Sequence, residues 1–300
     1  MTYKFDFVKR SKLFFLLSGI VVVLSMVSLF IQGLNLGIDF QSGSRLDIAV
    51  GKKLDVEKEK KILTDLGYKH PNVRVGGAEQ DLLIFRTDQV LSKEQVQKIK
   101  GKFSQIHKKE IGIQEQVVDP IIGRELAKNA IISVLVASLA IIIYVTIRFE
   151  YRFAIAAVIS LLYDVIFTVG MFSVLRLEVD VVFIAAILTI VGYSVNDTIV
   201  IFDRIREQVE RIQPKKWEDL VRVVNEGLHH TLVRSINTVL TVVFASVMLY
   251  LFGGESISNF SLALLFGLIS GAYSSIFVAS QIWIYWKWHS MKKGKEKLAS

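Results

Sequence analysis

Three ionisable side chains stand out because they lie inside or beside long apolar stretches. Asp164 interrupts one such stretch, Asp197 interrupts the next, and Arg234 comes directly before a third. A charge at membrane depth is costly, and it persists only where it faces a protein interior or a water-filled cavity. A carboxylate in such a position can bind and release a proton or a sodium ion. The sequence therefore predicts an ion-coupling site formed by these three residues.

A polar band surrounds Asp197 on its predicted helix. Helical spacing places Tyr193 and Asp197 on one face, and it places Arg234 and Thr238 on one face of another helix. If the distance between Asp197 and Arg234 changes between two conformations, ion binding by the carboxylate changes with it. The polar residues predicted to support this site are Tyr193, Ser194, Asn196, Thr198 and Thr238.

Other interpretations of these residues remain open. The charges can form a static ion pair that fixes helix packing, and Arg234 can extend to the membrane interface along its aliphatic stem. Aspartates on neighbouring spans are also a feature of intramembrane aspartyl proteases, whose second motif is Gly-x-Gly-Asp. The corresponding residues here are Val195, Asn196 and Asp197. Because the glycine is missing, and because the chain has no phosphate-binding P-loop, we predict that it is not an enzyme.

The positions of the apolar stretches predict a polytopic α-helical membrane protein with six transmembrane helices. A stretch of about 20 apolar residues is long enough to cross a bilayer, and the first stretch is predicted to be a span rather than a cleaved signal peptide. The predicted segments are a cytoplasmic N-terminus at 1–12, spans at 13–33, 130–147, 153–175, 181–202, 235–252 and 260–286, an extracytoplasmic domain at 34–129, a cytoplasmic amphipathic helix at 203–231 and a basic cytoplasmic tail at 287–300.

The segment between the first two spans carries the periodicities of a small α+β domain. Alternating and helical patterns follow one another in the order β-α-β-β-α-β, which is typical of a ferredoxin-like fold. Ser92 and Gln95 form a capping box at the start of the second helix. We predict an extracytoplasmic ferredoxin-like domain, and nothing in it has catalytic spacing.

Composition and charge narrow the class of protein further. Among 300 residues, 52% are hydrophobic, none is cysteine and the formal net charge is +8. Such a charge is also found in nucleic-acid-binding proteins, but here the basic residues flank the apolar stretches on one side. This pattern indicates membrane topology with both termini in the cytoplasm. We predict the lipid bilayer as a partner, and we predict no nucleic acid, metal or cofactor.

Several motifs resemble those of the SecF family of protein-export membrane subunits, and the resemblance covers nearly the whole chain. The most specific is Val191–Arg206, VGYSVNDTIVIFDRIR, which contains Asp197. The six spans with a large loop after the first also resemble one half of a transporter of the RND superfamily. The other carriers are Gly37-Ile38-Asp39-Phe40, Asp119-Pro120-Ile121-Ile122-Gly123, Tyr163-Asp164, Thr231-Leu232-Val233-Arg234-Ser235 and Leu249–Gly254.

The resemblance implies a role in protein export. A SecF-like chain works with SecD beside a SecYEG-type translocon and uses the proton or sodium motive force to promote preprotein translocation. It implies that Asp197 carries the ion, that Arg234 is its basic counterpart and that the loop domain contacts preproteins. The loop motif that follows the first span is predicted to comprise Gly37, Asp39, Phe40 and Gly43. An RND-type exporter of small molecules or lipids is the alternative, and a non-transporting scaffold with structural charges is a third hypothesis.

Overall fold

The computed structural model describes residues 5–41, 43–69, 71–77, 79–148 and 150–299. Within these ranges, six helices are long and apolar enough to cross a membrane. The predicted polytopic architecture is therefore confirmed. The six candidate spans are Ser11–Gln32, Ile121–Ile147, Tyr151–Val174, Val181–Ile212, Trp217–Phe252 and Ile257–Lys292.

Helices dominate the chain, and short strands lie between the first two spans and after the third. The helices are α1 Ser11–Gln32, α2 Ile38–Gln41, α3 Val56–Asp65, α4 Lys93–His107, α5 Pro120–Arg148, α6 Tyr151–Val174, α7 Val181–Ile212, α8 Trp217–Phe252, α9 Glu255–Ser274 and α10 Ser280–Ala299. A π-helical turn at Ser275–Ala279 joins the last two. The strands are β1 Asn35–Leu36, β2 Gly43–Ala49, β3 Asn72–Gly76, β4 Leu82–Thr87, β5 Gly112–Val118 and β6 Glu178–Val179.

The segment between α1 and α5 folds as the predicted ferredoxin-like domain, which we call the loop domain. Its sheet has the strand order β3-β4-β2-β5, and all neighbouring strands are antiparallel. Leu46 pairs with Phe85 in the register, and both side chains are fully buried. They pack with Leu63 of α3 and Phe103 of α4, so the two helices cover one face of the sheet.

Local signals in the sequence explain how the loop domain is delimited. The predicted capping box at the start of α4 is present, with Ser92 and Gln95 each accepting a backbone hydrogen bond from the other residue. Gly43 starts β2 with φ +121, and a Cβ there would lie 2.1 Å from the carbonyl oxygen of Thr87. Only glycine fits this position without moving the adjacent strand.

The membrane core is built around α6, α7 and α9. The small residues Gly267 and Gly271 on α9 allow close approach to α7. A Cβ at Gly267 would lie 2.3 Å from Ile190, and one at Gly271 would lie 3.4 Å from Ser194. The helix that carries Asp197 is therefore held tightly against α9.

Helix α1 buries serines and exposes apolar residues. Its only buried side chains are Ser11, Ser18, Ser25 and Ser28. Ser11 and Ser18 bond the hydroxyls of tyrosines on the last span, Ser28 bonds Ser173 of α6, and a Cβ at Gly170 would lie 2.3 Å from Ser25. We call this row of four residues the serine seam. It attaches α1 to α6 and to the last span.

Several helices extend beyond the bounds expected from hydropathy. Helix α5 begins at Pro120, well before the predicted span 130–147, because proline is favoured in a first helical turn and Asp119 accepts the Ile121 amide hydrogen. The last helix continues to Ala299, so the residues predicted as a basic tail are helical as far as the structure describes them.

The predicted amphipathic helix at 203–231 is not a separate element. Its residues are divided between the end of α7 and the beginning of α8. The break comes after Ile212, where Gln213 adopts a left-handed conformation with φ 49 and Pro214 cannot continue the helix. From Trp217 the backbone is helical without interruption to Phe252, so the surface segment and the fifth span form one rod.

Candidate ion-coupling site

Asp164 lies at the middle of α6 and is fully buried. Its carboxylate accepts hydrogen bonds from three serine hydroxyls, Ser194 at 2.5 Å, Ser270 at 2.5 Å and Ser274 at 2.8 Å. Ser160 in turn donates to Ser274 at 2.9 Å. The three donors come from α7 and α9, so the carboxylate joins three helices. Burial of such a group is tolerated because its oxygens are hydrogen-bonded.

Asp197 lies one turn beyond Ser194 on α7, and its surroundings differ. Its side chain is only partly buried, and its carboxylate accepts one hydrogen bond, from Ser275 at 2.6 Å. No cationic side chain lies within ion-pair distance of it among the residues that the structure describes. Ser275 is therefore the hydrogen-bond donor that the described part of the chain supplies to this carboxylate.

Two neighbouring serines at the junction of α9 and the π-helical turn reach two different aspartates. Ser274 ends α9 and donates to Asp164, whereas Ser275 begins the π-helical turn and donates to Asp197. Such turns are frequent at functional sites. One donor to each carboxylate therefore comes from this short segment of the last span.

A small crevice adjoins Asp197. It is lined by Tyr193, Asn196, Thr238 and Gly271, among others, and its volume is about 20 Å³. That is close to the space that one water molecule needs. Tyr193, Asn196 and Thr238 are exposed on the outer side of the crevice. Polar residues on α7 and α8 thus form a surface at membrane depth, which we call the polar face.

Arg234 belongs to the polar face but does not contact either aspartate. Its side chain is exposed, and within the described parts of the chain it forms no ion pair with Asp164 or Asp197. Its carbonyl oxygen accepts the hydroxyl of Thr238, which lines the crevice. The predicted partnership of Arg234 with Asp197 is therefore not formed in this conformation, and it stays a prediction.

The predicted site residues divide into three groups. Tyr193, Asn196 and Thr238 surround Asp197 as the spacing indicated. Ser194 supports Asp164 instead, and Thr198 is buried at 2% exposure. Sequence reasoning missed Ser270, Ser274 and Ser275, the donors from the last span. Their signal was weak, because serine is common in membrane helices, but the spacing of Ser270 and Ser274 places both on one helix face.

The loop motif residues lie at the base of the loop domain, next to the start of α7. Asp39 accepts the Val181 amide hydrogen at 3.0 Å, and Phe40 packs against the membrane core. Gly37 donates its amide hydrogen to Val179 at 2.8 Å. Gly43 starts the central strand β2, beside β5. The motif therefore connects the loop domain to the helix that carries Asp197.

Fold and site together define a class of protein. The chain is a multi-pass membrane protein with a buried carboxylate on α6, a partly buried one on α7 and a ferredoxin-like domain after its first span. Two family models match it. Residues 98–289 match the model described as protein export membrane protein SecD/SecF, C-terminal, and residues 27–53 match the SecD/SecF GG motif. The chain belongs to the SecD/SecF family of protein export membrane proteins.

Curated relatives belong to the same family. The chain is 42% identical over 298 residues to protein translocase subunit SecF of Alicyclobacillus acidocaldarius, covering 98% of this chain and 96% of that protein. It is 48% identical over 290 residues to protein translocase subunit SecDF of Bacillus subtilis, covering 97% of this chain but only 39% of the relative. The chain thus spans nearly a whole SecF and a little over a third of a SecDF.

A solved structure shares the architecture. The crystal structure of SecDF, a translocon-associated membrane protein from Thermus thermophilus, superposes with a TM-score of 0.86 at 31% identity. The match covers 95% of this chain and 39% of that one. These similarities favour the protein-export interpretation over a small-molecule or lipid exporter, and they confirm the predicted family.

Proposed function

We propose that this chain is the SecF-type subunit of a protein translocase. It works with SecD in the cytoplasmic membrane and uses the proton or sodium motive force to promote preprotein translocation at a SecYEG-type translocon. The observation that carries the proposal is Asp197. It is a partly buried carboxylate at membrane depth that has a single hydroxyl donor and opens to a crevice. An ion can reach and leave such a group without breaking a cluster of hydrogen bonds.

The polar face supports the proposal that another protein chain lies beside this one within the membrane. The side chains of Asn196, Arg234 and Thr238 are exposed on the surface of this chain, in the middle part of two candidate spans. Polar groups at this depth face protein or water rather than lipid. The relatives named SecDF carry SecD and SecF parts in one protein. A SecD chain that covers the polar face would complete the ion path, which would then run between SecD and this chain.

The distribution of charge supports the orientation. Basic residues cluster at the end of the spans opposite the loop domain, in the N-terminal segment, between α7 and α8, and along α10. Lys and Arg are enriched in cytoplasmic segments of membrane proteins. Both termini therefore lie in the cytoplasm, and the loop domain lies outside, where it contacts emerging preproteins.

The test is preprotein export in membrane vesicles that carry Asp197→Asn, with SecD co-purification checked. We expect export to lose its stimulation by the ion gradient, because the amide cannot take up and release the ion. Glu210→Gln is the matched control, since it removes an exposed carboxylate from the same helix. Dissipating the proton and sodium gradients separately identifies the ion. Full gradient stimulation in Asp197→Asn would contradict the proposal.

A further inference from the structure

The connection between α6 and α7 is tied to the loop domain by buried charges. Glu178 of this connection forms an ion pair with Arg86 of β4, and the residues are 4% and 8% exposed. Arg45 of β2 approaches the same carboxylate at 3.9 Å. Two strands of the loop-domain sheet therefore contact one side chain that lies three residues before α7.

A second tie joins the loop domain to the first turn of α7. The Asp39 carboxylate accepts the Gln116 side-chain amide of β5 at 3.2 Å and the Val181 backbone amide of α7 at 3.0 Å. Asp180 caps the same helix by accepting the Phe183 amide hydrogen at 2.7 Å. The unpaired amides and the dipole at a helix N-terminus favour carboxylates. Two carboxylates accept amide hydrogens at the start of α7, and one of them, Asp39, belongs to the loop motif.

The backbone around these side chains is closely fitted. β1 and β6 pair in parallel, with Asn35 opposite Glu178 and Leu36 opposite Val179. A Cβ at Gly37 would lie 2.6 Å from the Glu178 carboxylate, so glycine is needed to admit that side chain. The connection is thus enclosed between the loop motif and the open face of the sheet.

Arg86 stays charged at neutral pH. Burial lowers the pKa of Arg86 to about 10, and the guanidinium groups of Arg74 and Arg45 act in the same direction. The value is still well above 7, so Arg86 is protonated and needs a buried anion. Removing one member of a buried pair leaves the other charge uncompensated. Separation of the loop domain from the connection is therefore strongly disfavoured.

We propose that Glu178, Arg86 and Asp39 form a rigid latch that makes the loop domain and α7 move as one body. Helix α7 is uninterrupted from Val181 to Asp197, a length of about 24 Å at 1.5 Å per residue. A tilt of the loop domain then becomes a displacement of Asp197 relative to Thr238 of α8, which lines another side of the crevice. Glu178 and Asp39 are positioning residues for energy coupling, and this role rests on the proposed function.

The first measurement tests rigidity without reference to export. The chain has no cysteine, so spin labels can be placed by Glu57→Cys on α3 and Glu210→Cys at the cytoplasmic end of α7. We expect a narrow distance distribution in the parent and a broadened one in Glu178→Gln or Asp39→Asn. Glu59→Gln is the matched control. It also removes a buried carboxylate, but Glu59 pairs with His107 of α4 and not with a latch residue.

The second measurement tests coupling in the same variants. We expect Glu178→Gln and Asp39→Asn to lose most of the gradient-stimulated export, while Glu59→Gln keeps it. A distribution that stays narrow in both latch variants overturns the proposal. So does a broadened distribution with unchanged gradient stimulation, because the tie would then transmit nothing. If even the parent shows no gradient stimulation, the proposed function fails, while the distance distribution still decides whether the latch is rigid.

A third variant covers the case in which Glu178→Gln does not accumulate. Arg86→Cys/Glu178→Cys removes both charges together, so no unpaired charge is left buried. We expect it to be uncoupled until a short bismaleimide bridges the two thiols, and then to regain gradient stimulation. Glu59→Cys/His107→Cys, bridged in the same way, is the control. Full coupling without the bridge, or no recovery with it, overturns the latch.

Discussion

Asp164 and Asp197 are the same chemical group at similar depth, yet their surroundings are opposite. Asp164 is sealed and receives three hydroxyl hydrogen bonds from two neighbouring helices. Asp197 is partly exposed, receives one, and adjoins a crevice. An ion needs a route in and out, so we expect exchange at Asp197 and a packing role for Asp164. Depth in the membrane alone does not distinguish the two roles, whereas the hydrogen-bond shell does.

The largest expected difference comes from truncating each aspartate. Asp164→Ala leaves three buried hydroxyls without their acceptor and opens a cavity, so we expect the free energy of unfolding to fall by about 3–5 kcal/mol. Asp197→Ala removes one hydrogen bond at a partly exposed site, and we expect a loss of about 1 kcal/mol. Denaturation of the purified protein in detergent measures both. Equal losses would contradict the comparison.

The adjacent residues Ser274 and Ser275 allow the two sites to be compared by the same substitution, serine to alanine. Ser274→Ala removes a buried donor to Asp164 and the acceptor of Ser160, so we expect a loss of about 2 kcal/mol. Ser275→Ala removes a donor to Asp197, which the crevice can replace with water, so we expect about 0.5 kcal/mol. The same denaturation experiment compares them. If Ser275→Ala is the more damaging change, the π-helical turn rather than Asp164 holds the last span in place.

The smallest effect is expected at the helix contact that positions both sites. Gly267→Ala forces Ile190 to move, since a Cβ would lie within 2.6 Å of three of its atoms, and we expect a loss of about 1–2 kcal/mol. Gly271→Ala meets Ser194 at an ordinary 3.4 Å, so we expect no loss, or a slight gain from the higher helix propensity of alanine. Thermal unfolding midpoints decide between them. A larger drop for Gly271→Ala would mean that the approach of α9 to Ser194 is the tighter constraint.

Much of the fold was predictable because its signals are local. Hydropathy located the six spans, and alternating periodicity located the strands of the loop domain. Helix ends were harder to predict where no strong stop signal, such as proline, lies at the membrane boundary. Residues 203–231 have the pattern of a separate surface helix, yet no proline lies between Trp217 and Phe252, so the helix continues into the fifth span. Pro214, not the change in polarity, sets the boundary.

The site was only partly predictable because its geometry depends on contacts between distant segments. Asp164 and Asp197 stand out as charges in apolar stretches. Ser270, Ser274 and Ser275 do not, since their role depends on how the last span packs against α6 and α7. The pairing of Glu178 with Arg86 joins residues 92 positions apart, and nothing in either local sequence indicates the other.

The serine seam of α1 has a consequence for the biogenesis of the protein. Entry into the bilayer depends on mean hydropathy, which the exposed residues such as Leu16, Val23 and Phe30 supply. Association with the other spans comes afterwards and depends on the small side chains of the seam. The two stages thus place opposite demands on the same helix. A larger apolar residue in the seam would ease insertion yet hinder docking, so a more hydrophobic α1 would make a less well assembled protein.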